Sequence, residues 1–71
     1  METIGQRAVK AIRQRAKENG VAELDEFALL GIEPRIKRGW EKEGINPSAK
    51  FLQNMAREGY DIMWILLGDE K

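Results

Sequence analysis

Residues 31–44, GIEPRIKRGWEKEG, constrain the fold of this chain more than any other stretch. Pro34 suits the first turn of a helix, because its missing N–H would have no intrahelical partner there and its fixed φ is helical. Gly44, followed by Pro47, ends that helix after about ten residues. The stretch therefore predicts one short helix with an abrupt start and an abrupt end.

The predicted helix has an apolar side and a cationic side. At about 100° per residue, Ile36 and Trp40 lie on the same side. The basic residues roughly opposite them are Arg35, Arg38 and Lys42. Lys37 lies apart from this cationic stripe, one turn from both Glu33 and Glu41, which can pair with it. A bare cationic stripe fits a helix presented to a polyanion, but the solvated face of any amphipathic helix has the same pattern.

The rest of the composition excludes several classes of protein. The chain has 71 residues, enough for one domain (residues 1–71) with a small core. It has no cysteine and no histidine, so we expect no metal site, no cofactor and no enzyme. No apolar run is long enough to span a bilayer, and the N-terminus does not resemble a signal peptide. We therefore expect a cytoplasmic protein with neither a membrane partner nor a small-molecule substrate.

Charge is balanced in total but uneven along the chain. Twelve basic and twelve acidic residues give a formal net charge of zero, which by itself argues against a nucleic-acid partner. However, the segment from Arg7 to Lys17 is basic without any acid, and the segment after Tyr60 is mainly acidic. This asymmetry is typical of a protein with an oriented interaction.

Apolar periodicity and capping residues predict an all-α domain of five short helices. These are residues 3–19, 22–30, the helix starting at Pro34, 47–58 and 62–67. Thr3, Asn46 and Asp61 are expected to cap the first, fourth and fifth helices. The apolar residues expected to face inward in the second and fourth helices are Leu24, Phe27, Ala28, Phe51, Leu52, Met55 and Ala56. No period-2 run of branched residues predicts a strand.

The last predicted helix, IMWILL at residues 62–67, is apolar on every side. A small core has little volume to receive all of these side chains. The helix is therefore either a central core element or a contact with another protomer. In the second case Met63, Leu67 and Trp64 form the dimer interface, with Met63 and Leu67 on the outer side.

The second half of the chain resembles the lambda-repressor-like family of phage DNA-binding domains. Its features are a helix, the turn glycine Gly31, a second helix with Trp40 nine residues on, and the junction Gly44-Ile45-Asn46-Pro47. A closing WILLGD segment at residues 64–69 completes the resemblance, which covers residues 30–70. The sequence departs from the family pattern at Glu33, where a Ser or Thr cap is usual, and at Phe27 and Lys37 in usually small or aliphatic positions.

The resemblance implies a helix-turn-helix regulator of transcription, a phage or prophage repressor that binds an operator in double-stranded DNA as a homodimer. In this reading Arg35 and Arg38 contact base edges, and Lys42, Asn46 and Lys50 contact phosphates. A basic stripe on the first helix would add long-range attraction, from Arg7, Lys10, Arg13 and Lys17. The alternative is a protein-interaction module of the same fold, which would bind another regulator as an anti-repressor does.

Overall fold

The computed structural model describes residues 2–68, which form five α-helices joined by short connections. The helices are α1 (Ile4–Asn19), α2 (Glu23–Leu29), α3 (Pro34–Lys42), α4 (Ala49–Arg57) and α5 (Ile62–Leu67). Within residues 2–68 there is no strand, so the predicted all-α class is confirmed. None of these helices combines the length and the apolar character that crossing a membrane requires. Asp69, the last residue of the closing WILLGD segment, lies outside the described residues.

Most helix ends lie where the local sequence predicts them. The backbone N–H of Gln6 donates to Thr3 Oγ1 (3.1 Å) and the Thr3 N–H donates to Gln6 Oε1 (3.0 Å), which is a capping box. Pro34 is the first residue of α3. The Asp61 carboxylate accepts from the N–H of Trp64 (3.0 Å) and caps α5. These ends depend on neighbouring residues alone, and they are the part of the fold that short-range rules predict.

The predicted start of α4 is wrong. The helix begins at Ala49 after Ser48, and Pro47 is a buried loop residue rather than its first helical residue. Asn46 does not cap α4. Its Oδ1 instead accepts from the N–H of Gly5 (3.3 Å), in the first turn of α1. That N–H has no partner within its own helix, so Asn46 satisfies a helix 41 residues away in the chain.

The core forms around α1, which packs against α2, α3 and α5. The buried apolar residues of the core are Ala8, Val9, Ile12, Phe27, Leu30, Ile32, Trp40, Met55, Tyr60 and Ile65. The Trp40 ring meets Phe51 of α4 edge to face, with the ring centroids 5.3 Å apart. Trp40 is 2% exposed, which confirms that it lies on the inner side of α3.

Three apolar residues predicted to face inward are exposed. They are Leu24 (60% exposed) and Ala28 on α2, and Ala56 on α4. The buried side of α2 is instead formed by Glu26, Phe27 and the following Leu30. The α2 helix is thus rotated relative to its predicted orientation, so that Glu26 rather than Leu24 faces the interior, where it has a partner.

Tyr60 is that partner, and its hydroxyl donates to Glu26 Oε2 (3.2 Å). The guanidinium of Arg15 lies 3.7 Å from the centroid of the Tyr60 ring. Burial, followed by the nearby Glu26 carboxylate, raises the pKa of Tyr60 to about 12. The Tyr60 hydroxyl therefore stays a hydrogen-bond donor at neutral pH. This contact joins α2 to the segment before α5.

The backbone of α1 approaches the end of α3 very closely at Gly5. A Cβ atom at this position would lie 2.5 Å from the carbonyl oxygen of Ile45 and 2.8 Å from that of Trp40. Because real Cβ atoms do not approach this closely, only glycine lets α1 reach the end of α3. The Gln6 amide adds a hydrogen bond to the carbonyl of Glu41 (3.3 Å) at the same contact.

We expect Trp40→Ala to lower the free energy of unfolding by about 3–5 kcal/mol, because it removes a large buried ring and leaves a cavity. That is a large share of the stability of a domain this small. Leu29→Ala is the control, since Leu29 is 80% exposed and its loss should change stability little. Urea unfolding followed by circular dichroism measures both. Equal midpoints for the two variants would contradict the placement of Trp40.

Candidate nucleic-acid interface

The outer side of α3 carries the predicted cationic stripe. Arg35, Arg38 and Lys42 are all exposed, while Trp40 on the other side is buried and Ile36 is half-buried. Within residues 2–68, none of the three basic side chains makes a hydrogen bond or an ion pair. Their charges are therefore available to a ligand in solvent.

Lys37 is held away from this stripe, as its position predicts. Its Nζ lies 3.7 Å from Glu41 and 4.0 Å from Glu23, and only 21% of its side chain is exposed. The predicted Glu41 pairing is confirmed, whereas the second partner is Glu23 of α2 and not Glu33. Nζ also lies 5.5 Å from the centroid of the Phe27 ring. A lysine is accommodated at this inward position because its stem can cover an aromatic ring while its charge reaches the surface.

Arg13 joins three helices at the edge of the same surface. From α1, its Nε donates to Glu23 at the start of α2 (2.9 Å) and its Nη2 donates to Glu41 of α3 (2.5 Å). With Lys37, which lies near both carboxylates, these residues form what we call the Arg13 network: Arg13, Glu23, Lys37 and Glu41. The sequence gives no indication of this network. Glu23 and Glu41 lie 10 and 28 residues after Arg13 and on other helices, so helical periodicity does not relate them to it.

The hydrogen bonds of this network shift the pKa values of Arg13 and Glu41. The hydrogen bond from Arg13 lowers the pKa of Glu41, and Lys37 lowers it further. The hydrogen bonds to Glu23 and then Glu41 raise the pKa of Arg13. Arg13 and Glu41 are therefore ionised at neutral pH. The network contains two basic and two acidic side chains, so it has no formal net charge to offer a polyanion.

The basic stripe of α1 is largely engaged within the protein. Arg7 donates to the carbonyls of Ile65 (2.7 Å) and Leu66 (3.1 Å) at the end of α5. Lys10 pairs with Glu2, and Arg13 belongs to the Arg13 network. Lys17 is exposed and has no ion pair within residues 2–68. Within residues 2–68, Lys10 and Arg13 are paired with carboxylates, so the attraction expected of this stripe depends on Lys17 and on the charge of Arg7, whose partners are neutral carbonyls.

The two predicted contacts beyond α3 differ from each other. Lys50, in the first turn of α4, is exposed and makes no ion pair within residues 2–68. Asn46 uses its Oδ1 on Gly5, so a phosphate contact would have to come from its amide nitrogen, which has no partner in that range. Asn46 is thus both a structural residue of the α1–α3 contact and a candidate donor.

The α5 helix leaves part of its apolar surface uncovered. Ile65 is fully buried and Ile62 is partly buried. Met63 is 60% exposed and Leu67 is 58% exposed, which confirms the prediction that these two face outward. Trp64 is partly buried against the core and Leu66 is 37% exposed.

The described residues contain no cluster of acidic side chains arranged to hold a metal ion.

No protein-family model matches this chain, and comparisons with curated proteins and with solved structures also find no match.

Proposed function

We propose that this chain is a sequence-specific regulator that binds double-stranded DNA, similar to phage or prophage repressors, and that α3 is its recognition helix. One observation carries the proposal. Most basic side chains of residues 2–68 are engaged within the protein, and five make no hydrogen bond or ion pair there. These five are Lys17, Arg35, Arg38, Lys42 and Lys50. Four of them are the residues that the sequence assigns to DNA.

The connection between α2 and α3 supports the same proposal. Gly31 has φ 74°, a left-handed conformation that glycine adopts without strain. The N–H of Ile32 then returns to the carbonyl of Phe27 (2.9 Å), which closes the end of α2 and brings Ile32 into the core. A short helix, a glycine turn and a second helix with a buried inner side are what a helix-turn-helix needs.

The roles within the stripe follow from position along α3. Arg35 and Arg38 lie in the N-terminal half of the helix, the half that enters the major groove in this motif. A guanidinium can pair bidentately with O6 and N7 of guanine. Lys42, Lys50 and the amide of Asn46 lie beyond that half and suit phosphates.

Selection of bound duplexes from a random pool tests the proposal, and the salt dependence of binding checks its mechanism. If the cations Arg35, Arg38, Lys42 and Lys50 together neutralise about four phosphate charges, whether they bond to bases or to phosphates, each protomer contributes a slope near −3.6 to log K against log salt. A flat salt response would contradict the proposal. So would the absence of any duplex binding at about 50 mM salt, where such contacts are strong.

Substitutions within the stripe should separate base contacts from phosphate contacts. We expect Arg38→Ala to weaken binding to the selected duplex by about 1–3 kcal/mol and to relax the preference at one base pair. Lys42→Ala should weaken binding to selected and random duplexes alike. Fluorescence anisotropy on both duplexes measures this. If Arg38→Ala lowers both affinities equally, the assignment of Arg38 to a base is wrong.

A homodimer is part of the proposal, because a single small reader covers only one half-site. We expect Met63→Glu and Leu67→Glu to shift a concentration-dependent dimer toward monomer while helical content is retained. Leu29→Glu is the matched control, since Leu29 is 80% exposed and lies on α2. Sedimentation velocity measures all three. A wild-type protein that remains monomeric over the whole concentration series contradicts the dimer.

A second candidate function is a protein-interaction module that binds another regulator. The exposed apolar side chains Leu24 and Leu29, 60% and 80% exposed, favour it, because such residues on one short helix suit a protein surface better than a phosphate backbone. This candidate predicts no retention on heparin or on random duplex DNA at low salt.

A further inference from the structure

The orientation of α3 depends on contacts outside the helix. It has nine residues, and isolated helices shorter than about 12–15 residues are marginal in water. Its N-cap residue, Glu33, makes no side-chain capping bond, and Gly39 lowers its intrinsic propensity. What holds it is therefore the packing of Trp40, the approach of Gly5, and the Arg13 network.

These contacts restrain different movements. Trp40 and Gly5 hold the C-terminal half of α3 against the core. A rotation of α3 about the line where it contacts the core would leave its inner residues against the core, while the outer residues, which lie furthest from that line, would move most. Because a helix with its side chains is about 10–12 Å across, such a rotation by about 10° shifts an outer atom by about 2 Å. Such a shift exceeds what a bidentate contact tolerates.

The bond between Arg13 and Glu41 is placed to prevent that rotation. Glu41 lies one turn beyond Arg38, and its carboxylate is held by an arginine whose Nε is already fixed to Glu23 of α2. Because the guanidinium is planar and rigid, its two donors fix the distance between the start of α2 and this side of α3.

We infer that Arg13 is a positioning residue for sequence recognition: through Glu23 and Glu41 it sets the rotation of α3, and with it where Arg35 and Arg38 meet the bases. This inference rests on the proposed function. Stability does not account for the bond from Arg13 to Glu23, because both side chains are 43% exposed and exposed ion pairs contribute little to stability. The bond from Arg13 to Glu41 is less exposed, with Glu41 at 25%, and it is the one that bears on the orientation of α3.

Two substitutions with opposite effects on charge test it. Arg13→Met removes a positive charge and Glu41→Gln removes a negative one, so any simple electrostatic effect on DNA affinity has opposite signs. Positioning predicts the same result for both, a roughly tenfold fall in the ratio of affinities for the selected and random duplexes, which corresponds to ~1.4 kcal/mol. The double variant should lose no more than either single one. Lys17→Met is the control for the affinity ratio: it removes a charge from the same helix, so it should weaken binding to both duplexes alike and leave their ratio unchanged.

A second measurement needs no DNA. Residual dipolar couplings of backbone amides report the orientation of α3 relative to α1. We expect that orientation to change in Arg13→Met and in Glu41→Gln, and to remain as in the wild type in Lys17→Met.

An unchanged orientation, or an unchanged affinity ratio in both variants, would overturn the inference. A wild-type protein that binds no duplex would refute the proposed function alone, and the dipolar couplings would then still decide the role of Arg13.

Discussion

The contact between the start of α1 and the end of α3 is the one on which the rest of the structure depends. At Gly5 the two backbones meet with no room for a side chain. Asn46 satisfies the free N–H at this point, and Gln6 bonds to a carbonyl of α3. Because α1 also packs against α2 and α5, this contact sets where α3 lies relative to the whole core. The position of the exposed stripe of α3 is therefore set by α1, the longest helix.

The features that local rules govern could be predicted from the sequence, and those that arise between helices could not. The caps at Thr3 and Asp61 follow from residues within one turn. The same rule failed at Asn46, where a favourable local cap lost to a partner at Gly5. A second local rule, apolar periodicity, failed on α2. It predicts that Leu24 faces the core, but Leu24 is exposed, and the buried residue is Glu26, which accepts a hydrogen bond from Tyr60. A buried polar pair cannot be read from hydrophobic periodicity.

Although the formal net charge is zero, paired and unpaired charged side chains lie on different sides of the protein. Arg7 and Lys10 are engaged at the α1–α5 side, and the Arg13 network neutralises itself at the α1–α2–α3 side. Within residues 2–68, the cations that remain without a partner are Lys17 on α1, Arg35, Arg38 and Lys42 on α3, and Lys50 on α4. The exposure of Arg35, Arg38 and Lys42 could be predicted because these residues lie on one helix and follow helical spacing. The Arg13 network could not, because it assembles residues from three helices.

The bond from Arg7 to the last helix also bears on how the chain folds. Arg7 lies in the first two turns of α1, and the carbonyl that accepts from its Nε belongs to Ile65, 58 residues later. The α1 helix, at the centre of the core, is therefore synthesised before the other four, and α5 is the last helix to cover it. During synthesis the side of α1 that packs against α5 stays uncovered until the last helix has been made, whereas its contacts with α2 and α3 can form earlier. For an all-helical chain, such long-range closure predicts slower folding than its helix content suggests.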